Sequence, residues 1–250
     1  MSTPKSHPRF KSLKTRDTIV DGVNKGITSI HGLIAHGRGE AFDYLLGEKT
    51  NEFAIESINS ASAMLLLAKH PVISVNGNTA ILVPSELVKL SEHIPAKLEV
   101  NIFHISKERE KKIRRHLIKA GAREVLLPER DKRFMVPFIE HNRRYVNRDG
   151  IFSADVVFVP LEDGDRASAL IKSGKRVITI DMNPLSRTAQ CSDITIVDNI
   201  IRAVPLLIER IMDYKKTKDK GQLKKIVDRY DNKRILAEAL WHIRQYSLIL

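Results

Sequence analysis

The sequence has little of what marks several large classes of protein. It holds one cysteine, Cys191, in 250 residues. That excludes an intramolecular disulfide framework and points to a reducing compartment. No apolar run approaches a membrane span; the best stretch, residues 61–68, suits a buried helix segment. The first fifteen residues are polar and basic without an apolar h-region, so the expected compartment is the cytoplasm. No G-x-G-x-x-G follows a strand pattern and no G-x-x-x-x-G-K-[ST] occurs, which argues against a standard dinucleotide enzyme or P-loop NTPase. Cys and His nowhere take zinc spacing, so no protein metal site is expected, and no G-x-S-x-G elbow is present.

What is present fits a globular chain. Hydrophobic residues make up 42% and charged residues 29%, which argues against wholesale disorder. The formal charge is +12. Residues 214–250 hold ten Lys or Arg against four acids, half of that excess. A basic balance admits a nucleic-acid-binding protein. No recognition-helix or RNA-binding motif supports that alternative, and few aromatics lie near the basic runs.

Periodicity divides the chain into a helical region (residues 1–70), an α/β core (71–213) and a helical extension (214–250), expected to form one domain. In the first region, helices are expected over 13–25, over 27–46 with an interruption at His36-Gly37-Arg38-Gly39, and over 51–69 before Pro71. A strand at 72–75 leads into the turn-forming run Asn76-Gly77-Asn78. Strands are then expected at 98–105, 124–127, 154–160, 176–180 and 193–197, with helices at 107–120 and 163–173. This alternation predicts a Rossmann-like, mainly parallel sheet flanked by helices. Asn199 is placed to cap a helix to about 214. A basic linker follows over 215–221, then a last helix marked by Ile235, Leu236, Ala239, Leu240 and Ile243.

Several runs invite a chemical reading. His36-Gly37-Arg38-Gly39-Glu40 is either a plain glycine break or a phosphate site, built from backbone N–H groups at a helix start and the Arg38 guanidinium. Asp181-Met182-Asn183 follows a buried strand, where open parallel sheets bind ligands, with Arg187 and Thr188 in the same loop; a polar turn is the alternative. Asn199-Ile200 at the next strand end can cap a helix, contact a ligand, or both. Asn59 and Ser60 inside an apolar helix, and Asn76, Gly77 and Asn78 after a strand, either satisfy local backbone or line a polar pocket.

Taken in order, SHPR at 6–9, SLKTR at 12–16, GLIAHGRGEAFDYLLGE at 32–48, NGNT at 76–79 and DMNPLSRT at 181–188 resemble the archaeal-type 4-phosphopantoate–β-alanine ligases, also called phosphopantothenate synthetases. The likeness spans nearly the whole chain and is weakest after about 214. It implies a homodimeric α/β enzyme of coenzyme A biosynthesis that converts ATP, 4-phosphopantoate and β-alanine to AMP, diphosphate and 4′-phosphopantothenate. It places nucleotide contacts on Arg16, Arg38, Asp181, Met182, Asn183, Arg187, Thr188, Asn199 and Ile200. Beside them, Arg38, His36 and Glu40 are the catalytic candidates. Asn59, Asn76, Gly77 and Asn78 are the candidates for the other substrates. Mg²⁺ is expected to bridge phosphates, with Glu40 or Asp181 as possible contacts. Another ATP-dependent carboxylate–amine ligase or a small-acid kinase is the alternative within the same broad class.

One expectation concerns assembly. The helix over 51–69 is apolar on several faces, and the last helix adds Ile235, Leu236, Leu240 and Ile243. A monomer would expose that surface, so a symmetric dimer is expected to cover it.

Overall fold

Along the strands, neighbouring side chains point to opposite faces of one sheet, and both faces are covered. Ile73 and Val75, Val156 and Phe158, and Ile178 and Ile180 enter one core cluster. Their neighbours Val72, Val157, Val159 and Val177 enter a second. This is the two-step alternation of a strand buried on both sides. The computed structural model describes residues 4–7, 9–104 and 106–249. Pro8 of the amino-terminal string and Ile105, the expected end of the second strand, lie outside the described residues.

The strands are β1 (Pro71–Val75), β2 (Lys97–Val100), β3 (Val156–Phe158), β4 (Arg176–Ile180) and β5 (Ile194–Ile196). They form a five-stranded sheet in the order β2-β1-β3-β4-β5, with every pairing parallel. From β1 the chain steps outward to β2, then returns to β3 on the other side of β1. Doubly wound sheets open a crevice at such a reversal, beyond the carboxyl ends of the strands.

Helices α1 (Phe10–Asn24), α2 (Ile30–Leu45) and α3 (Glu52–Leu67) precede the sheet. Then come α4 (Gly77–Leu82), α5 (Pro84–His93), α6 (Lys107–Lys119), α7 (Gly164–Lys172), α8 (Arg187–Cys191), α9 (Ile200–Thr217), α10 (Lys220–Arg229) and α11 (Asn232–Ile249). The first core cluster joins one sheet face to Ile19 of α1, Ile58 and Leu65 of α3, Leu87 of α5, Ile113 of α6 and Leu207 of α9. The second joins the other face to Ala167 and Leu170 of α7 and to Val136, Val146 and Ile151 of the irregular segment before β3. Each of the larger buried side chains contributes about 1.5–3 kcal/mol.

The α/β architecture is the one the sequence predicts; four local expectations are corrected. The helix α2 runs unbroken through His36-Gly37-Arg38-Gly39, so no helix starts after Gly39. The backbone N–H groups there lie within the helix and form no anion cradle. Residues 124–127 make no strand; Leu126 forms a single bridge to Glu99 at the edge of β2, and Pro128 lacks the N–H to continue pairing. Asn76-Gly77-Asn78 is no simple turn. Asn76 caps α4 through a capping box with Thr79. The supposed linker 215–221 is largely helical: α9 extends to Thr217, and Asp219 caps α10 with Gln222 in a second capping box.

The packing argument for a dimer is also corrected. Helix α3 touches α9, α10, α11 and β5 within the same chain. Ile235 and Leu236 of α11 are buried against Phe53, Ala54 and Val197. The apolar faces expected to need a partner are thus covered mostly from within.

Candidate active site

Helix α2 crosses the carboxyl end of the sheet and separates two cavities. Its contact with the sheet loops is close: a Cβ on Gly39 would lie 3.0 Å from Met182 Cε, just beyond β4. Helical spacing sorts its side chains. His31, Ala35 and Arg38 face a cavity of about 520 Å³. His36, Glu40 and Asp43 face another of about 420 Å³. Residues three or four apart share a helix face, so the division follows from continuity of α2.

The larger cavity lies over the β1/β3 reversal. Asn76 at the end of β1 donates through Nδ2 to the carbonyls of Pro160 (3.1 Å) and Leu161 (3.0 Å) after β3, tying the two strand ends together. Gly77 is needed here because a Cβ would sit 2.6 Å from the Ile27 carbonyl oxygen and 2.9 Å from Thr28 Cα. Asn78 donates to the Gly32 carbonyl at 2.8 Å and meets Thr28 Oγ1 at 2.5 Å, holding α4 against the start of α2. Arg143, Glu162 and Asp163 line the same space. Arg143 is buried, with its guanidinium on Glu162 and Asp163 and its Nε on Asn101 Oδ1 at 3.1 Å. Burial lowers its pKa, opposed by Glu162. Beneath them Arg166, 1% exposed, donates to Glu162 (2.6 Å) and Ser74 (2.8 Å), while its Nε and Nη2 have no protein partner. Arg38 is exposed at the rim, and among the described residues it has no acidic partner.

The smaller cavity is a cage of ion pairs. Glu40 accepts from Arg16 Nε at 2.9 and 2.7 Å and from Arg9 at 3.0 Å. Arg202 binds Asp43 at 2.5 Å and Asp198 at 2.6 Å. Asn199 caps α9 by accepting from Ile201 N–H at 3.2 Å and donates to Asp43 at 2.8 Å. Its neighbour Ile200 is buried in the core. His36 is buried, and its Nε2 has no protein partner. Burial lowers its pKa, Glu40 opposes this and Arg16 adds to the lowering. Burial thus favours the neutral imidazole.

Asp181 lines neither cavity and holds its own loop: Ser186 Oγ donates to it at 2.5 Å and Asn183 N–H at 2.9 Å. Burial raises its pKa and these bonds oppose the rise. Met182 is buried beneath α2. Thr188 donates to the Glu162 carbonyl at 2.8 Å, and the exposed Arg187 pairs with Asp165 at 2.6 Å. A Cβ on Gly164 would lie 2.3 Å from Arg187 Cβ, so glycine lets the starts of α7 and α8 meet. Asn76, Asp181 and Asn199 thus follow the carboxyl ends of β1, β4 and β5, and Thr188 bonds the segment after β3; Asn76 lines the larger cavity, Asn199 the smaller, and Asp181 and Thr188 neither. Asn59 on α3 lines neither cavity; its buried Oδ1 has no protein partner.

Sequence reasoning missed Arg9, Asp43, Arg202, Arg143, Glu162 and Arg166. Asp43 and Arg202 had a local signal: Asp43 follows His36 by two helical turns, and Arg202 follows Asp198 by one. Glu162 and Arg166 also stand one helical turn apart, but Arg143 had no such signal, because its partners lie 19 to 42 residues away. No group of three or more His, Cys, Asp or Glu is placed to hold a metal ion among the described residues.

The chain is similar to known enzymes along nearly its whole length. The chain is 51% identical over 98% of its length to the 4-phosphopantoate–β-alanine ligase of Thermococcus kodakarensis, covering 93% of that protein. It is 52% identical over 96% of its length to the enzyme of that name from Thermococcus onnurineus, covering 92% of it. It is 48% identical over 97% to the one from Methanosarcina mazei, covering 94% of it. Residues 53–246 match the phosphopantothenate/pantothenate synthetase family, and the chain belongs to that family.

Proposed function

We propose that this protein condenses 4-phosphopantoate with β-alanine at the expense of ATP, giving 4′-phosphopantothenate, AMP and diphosphate for coenzyme A synthesis. One observation carries the reading. Two cavities rich in cationic side chains flank α2 at the carboxyl end of a parallel sheet, in a chain half identical throughout to ligases of that name.

A carboxylate is a poor acyl donor to an amine. Attack of its oxygen on the α-phosphorus of ATP expels diphosphate and turns the carboxylate into a mixed anhydride with AMP. The β-alanine amine then displaces AMP and forms the amide. The protein's role in the first step is positioning and charge stabilisation. Arg38 is free to meet a phosphate. Arg16 is aimed by Glu40, whose hydrogen bond also raises the Arg16 pKa. Asp181, Met182 and Asn183, with Arg187, Thr188, Asn199 and Ile200, are the proposed nucleotide contacts; of these only Asn199 lines one of the two cavities. Asn76, Gly77 and Asn78 form the floor for the acid. Neutral His36 is suited to accept a proton from the amine. Glu40 and Asp181 are both engaged, so Mg²⁺ would be held chiefly by the phosphates themselves and by water.

The reading includes a cytoplasmic homodimer. No described helix is long and apolar enough to cross a membrane. Ile30, Leu45 and Trp241 are exposed apolar side chains on α2 and α11 that a partner would cover. Product analysis tests the reaction. AMP and 4′-phosphopantothenate should form in equal amounts, and only when all three substrates are present. Formation of ADP, or no amide product, would contradict it.

A further inference from the structure

We propose that His31 and His104, backed by Arg109, form the pocket that receives the phosphoryl group of the acid substrate. The inference rests on the ligase reading above. It begins with charge. In the smaller cavity, the arginines Arg9 and Arg202 are each held by Glu40, Asp43 or Asp198, and only the flexible lysines Lys5 and Lys11 line it without an ion pair among the described residues. In the larger cavity the acids Glu162 and Asp163 are already bound to Arg143, and Glu162 also to Arg166. His31, Arg38, His104 and Arg109 line that cavity, and none of them has a carboxylate partner among the described residues. A concave surface whose Arg38 and Arg109 guanidinium groups lack acids, with imidazole N–H donors beside them, is complementary to an anion.

Geometry narrows the position. His31 lies in the first turn of α2 and His104 in the loop after β2, yet their ring centroids are 4.4 Å apart. The loop is fixed from two sides. Arg109 of α6 donates to the His104 carbonyl, and Phe103 packs edge-on against His104 at 4.9 Å while stacking on His141 at 4.8 Å. Desolvation lowers the proton affinity of the exposed His104, and His31, Arg109 and His141 lower it further. These groups repel a proton on His104, and a phosphate dianion beside the pair would relieve that repulsion. The same spot faces the amino-terminal turn of the sixteen-residue α2, with Thr28 and Ser29 in the cavity wall, and a helix start favours negative charge. Two imidazoles, a guanidinium and a helix start are a donor set for phosphate. They offer nothing particular to the hydroxyl of an unphosphorylated acid.

Preference for the phosphorylated acid over pantoate is therefore assigned to His31 and His104. The full-length protein and its His31→Ala, His104→Ala and His104→Gln forms are assayed with 4-phosphopantoate or pantoate varied, at saturating ATP and β-alanine. Each variant should raise KM for 4-phosphopantoate about tenfold to a hundredfold, the usual cost of a charged hydrogen-bond partner. The preference over pantoate should fall by a similar factor, and KM for ATP should stay within about twofold. His104→Gln keeps a polar side chain of similar size without the imidazole, so an equal effect there excludes a packing defect. Unchanged KM for 4-phosphopantoate in all three variants, or an equal rise in KM for ATP, overturns the assignment while the ligase reading stands. A wild-type protein that makes no amide product overturns both.

Discussion

Arg16 on α1 closes on Glu40 of α2 through one nitrogen that meets both carboxylate oxygens, at 2.9 and 2.7 Å. Arg9 takes a further bond to the same carboxylate at 3.0 Å. On the proposed reading, Glu40, with both oxygens occupied, aims two arginines at the nucleotide. Glu40→Gln should therefore raise KM for ATP about tenfold, through loss of a charge-assisted contact, with a smaller change in kcat. A loss of kcat at unchanged KM would instead give Glu40 a direct chemical role.

Arg38 is exposed and has no acidic partner among the described residues, so its removal leaves no buried charge behind. Arg38→Ala should keep the melting profile and lower turnover about a hundredfold or more, the usual cost of removing one pre-organised donor from a reacting charge. Near-normal turnover would take Arg38 out of the site.

Gly77→Ala should destabilise the fold. The added methyl would meet the Ile27 carbonyl oxygen and Thr28 Cα, both backbone atoms that cannot swing away. Overpacking of this kind costs about 1–3 kcal/mol, which in a chain of this size is a fall of several degrees in Tm. An unchanged Tm would show that the start of α4 can shift freely.

Much of the architecture was legible. The strand Arg176–Ile180 coincides with its expected range, and the Asn199 cap is where the sequence put it. These features depend on local pattern alone. Helix α2 was misread because two glycines two residues apart look like a break. Gly39 instead admits Met182, a tertiary reason that no local pattern contains; nothing in the structure explains Gly37. The 215–221 segment was misread because its charge hid the capping box at Asp219 and the burial of Leu223. The cavity walls were illegible for a related reason. Ser74 and Arg166 meet across 92 residues, and Asn101 and Arg143 across 42.

Glu99 on β2 gives a pH test. It is fully buried and accepts from Asn147 N–H at 2.9 Å and Ile151 N–H at 2.6 Å. Burial outweighs these bonds and pushes its pKa from about 4.5 up to about 7. Between those values the folded protein keeps a proton that the unfolded chain releases, so stability falls as pH rises through that window and levels off above it. The loss between pH 5 and pH 8 should be about 2–3 kcal/mol at most. Denaturant unfolding of wild type and Glu99→Gln should show that slope only in the wild type. Equal slopes would remove Glu99 as its source.

The reaction itself is tested most directly by following oxygen. With ¹⁸O in the carboxylate of 4-phosphopantoate, attack on the α-phosphorus followed by amine displacement must leave one labelled oxygen in AMP. Mass spectrometry of the nucleotide after turnover with β-alanine should find that label in AMP, with the other labelled oxygen retained in the amide carbonyl. Label in orthophosphate with ADP as the nucleotide product, or AMP without label, would contradict the account.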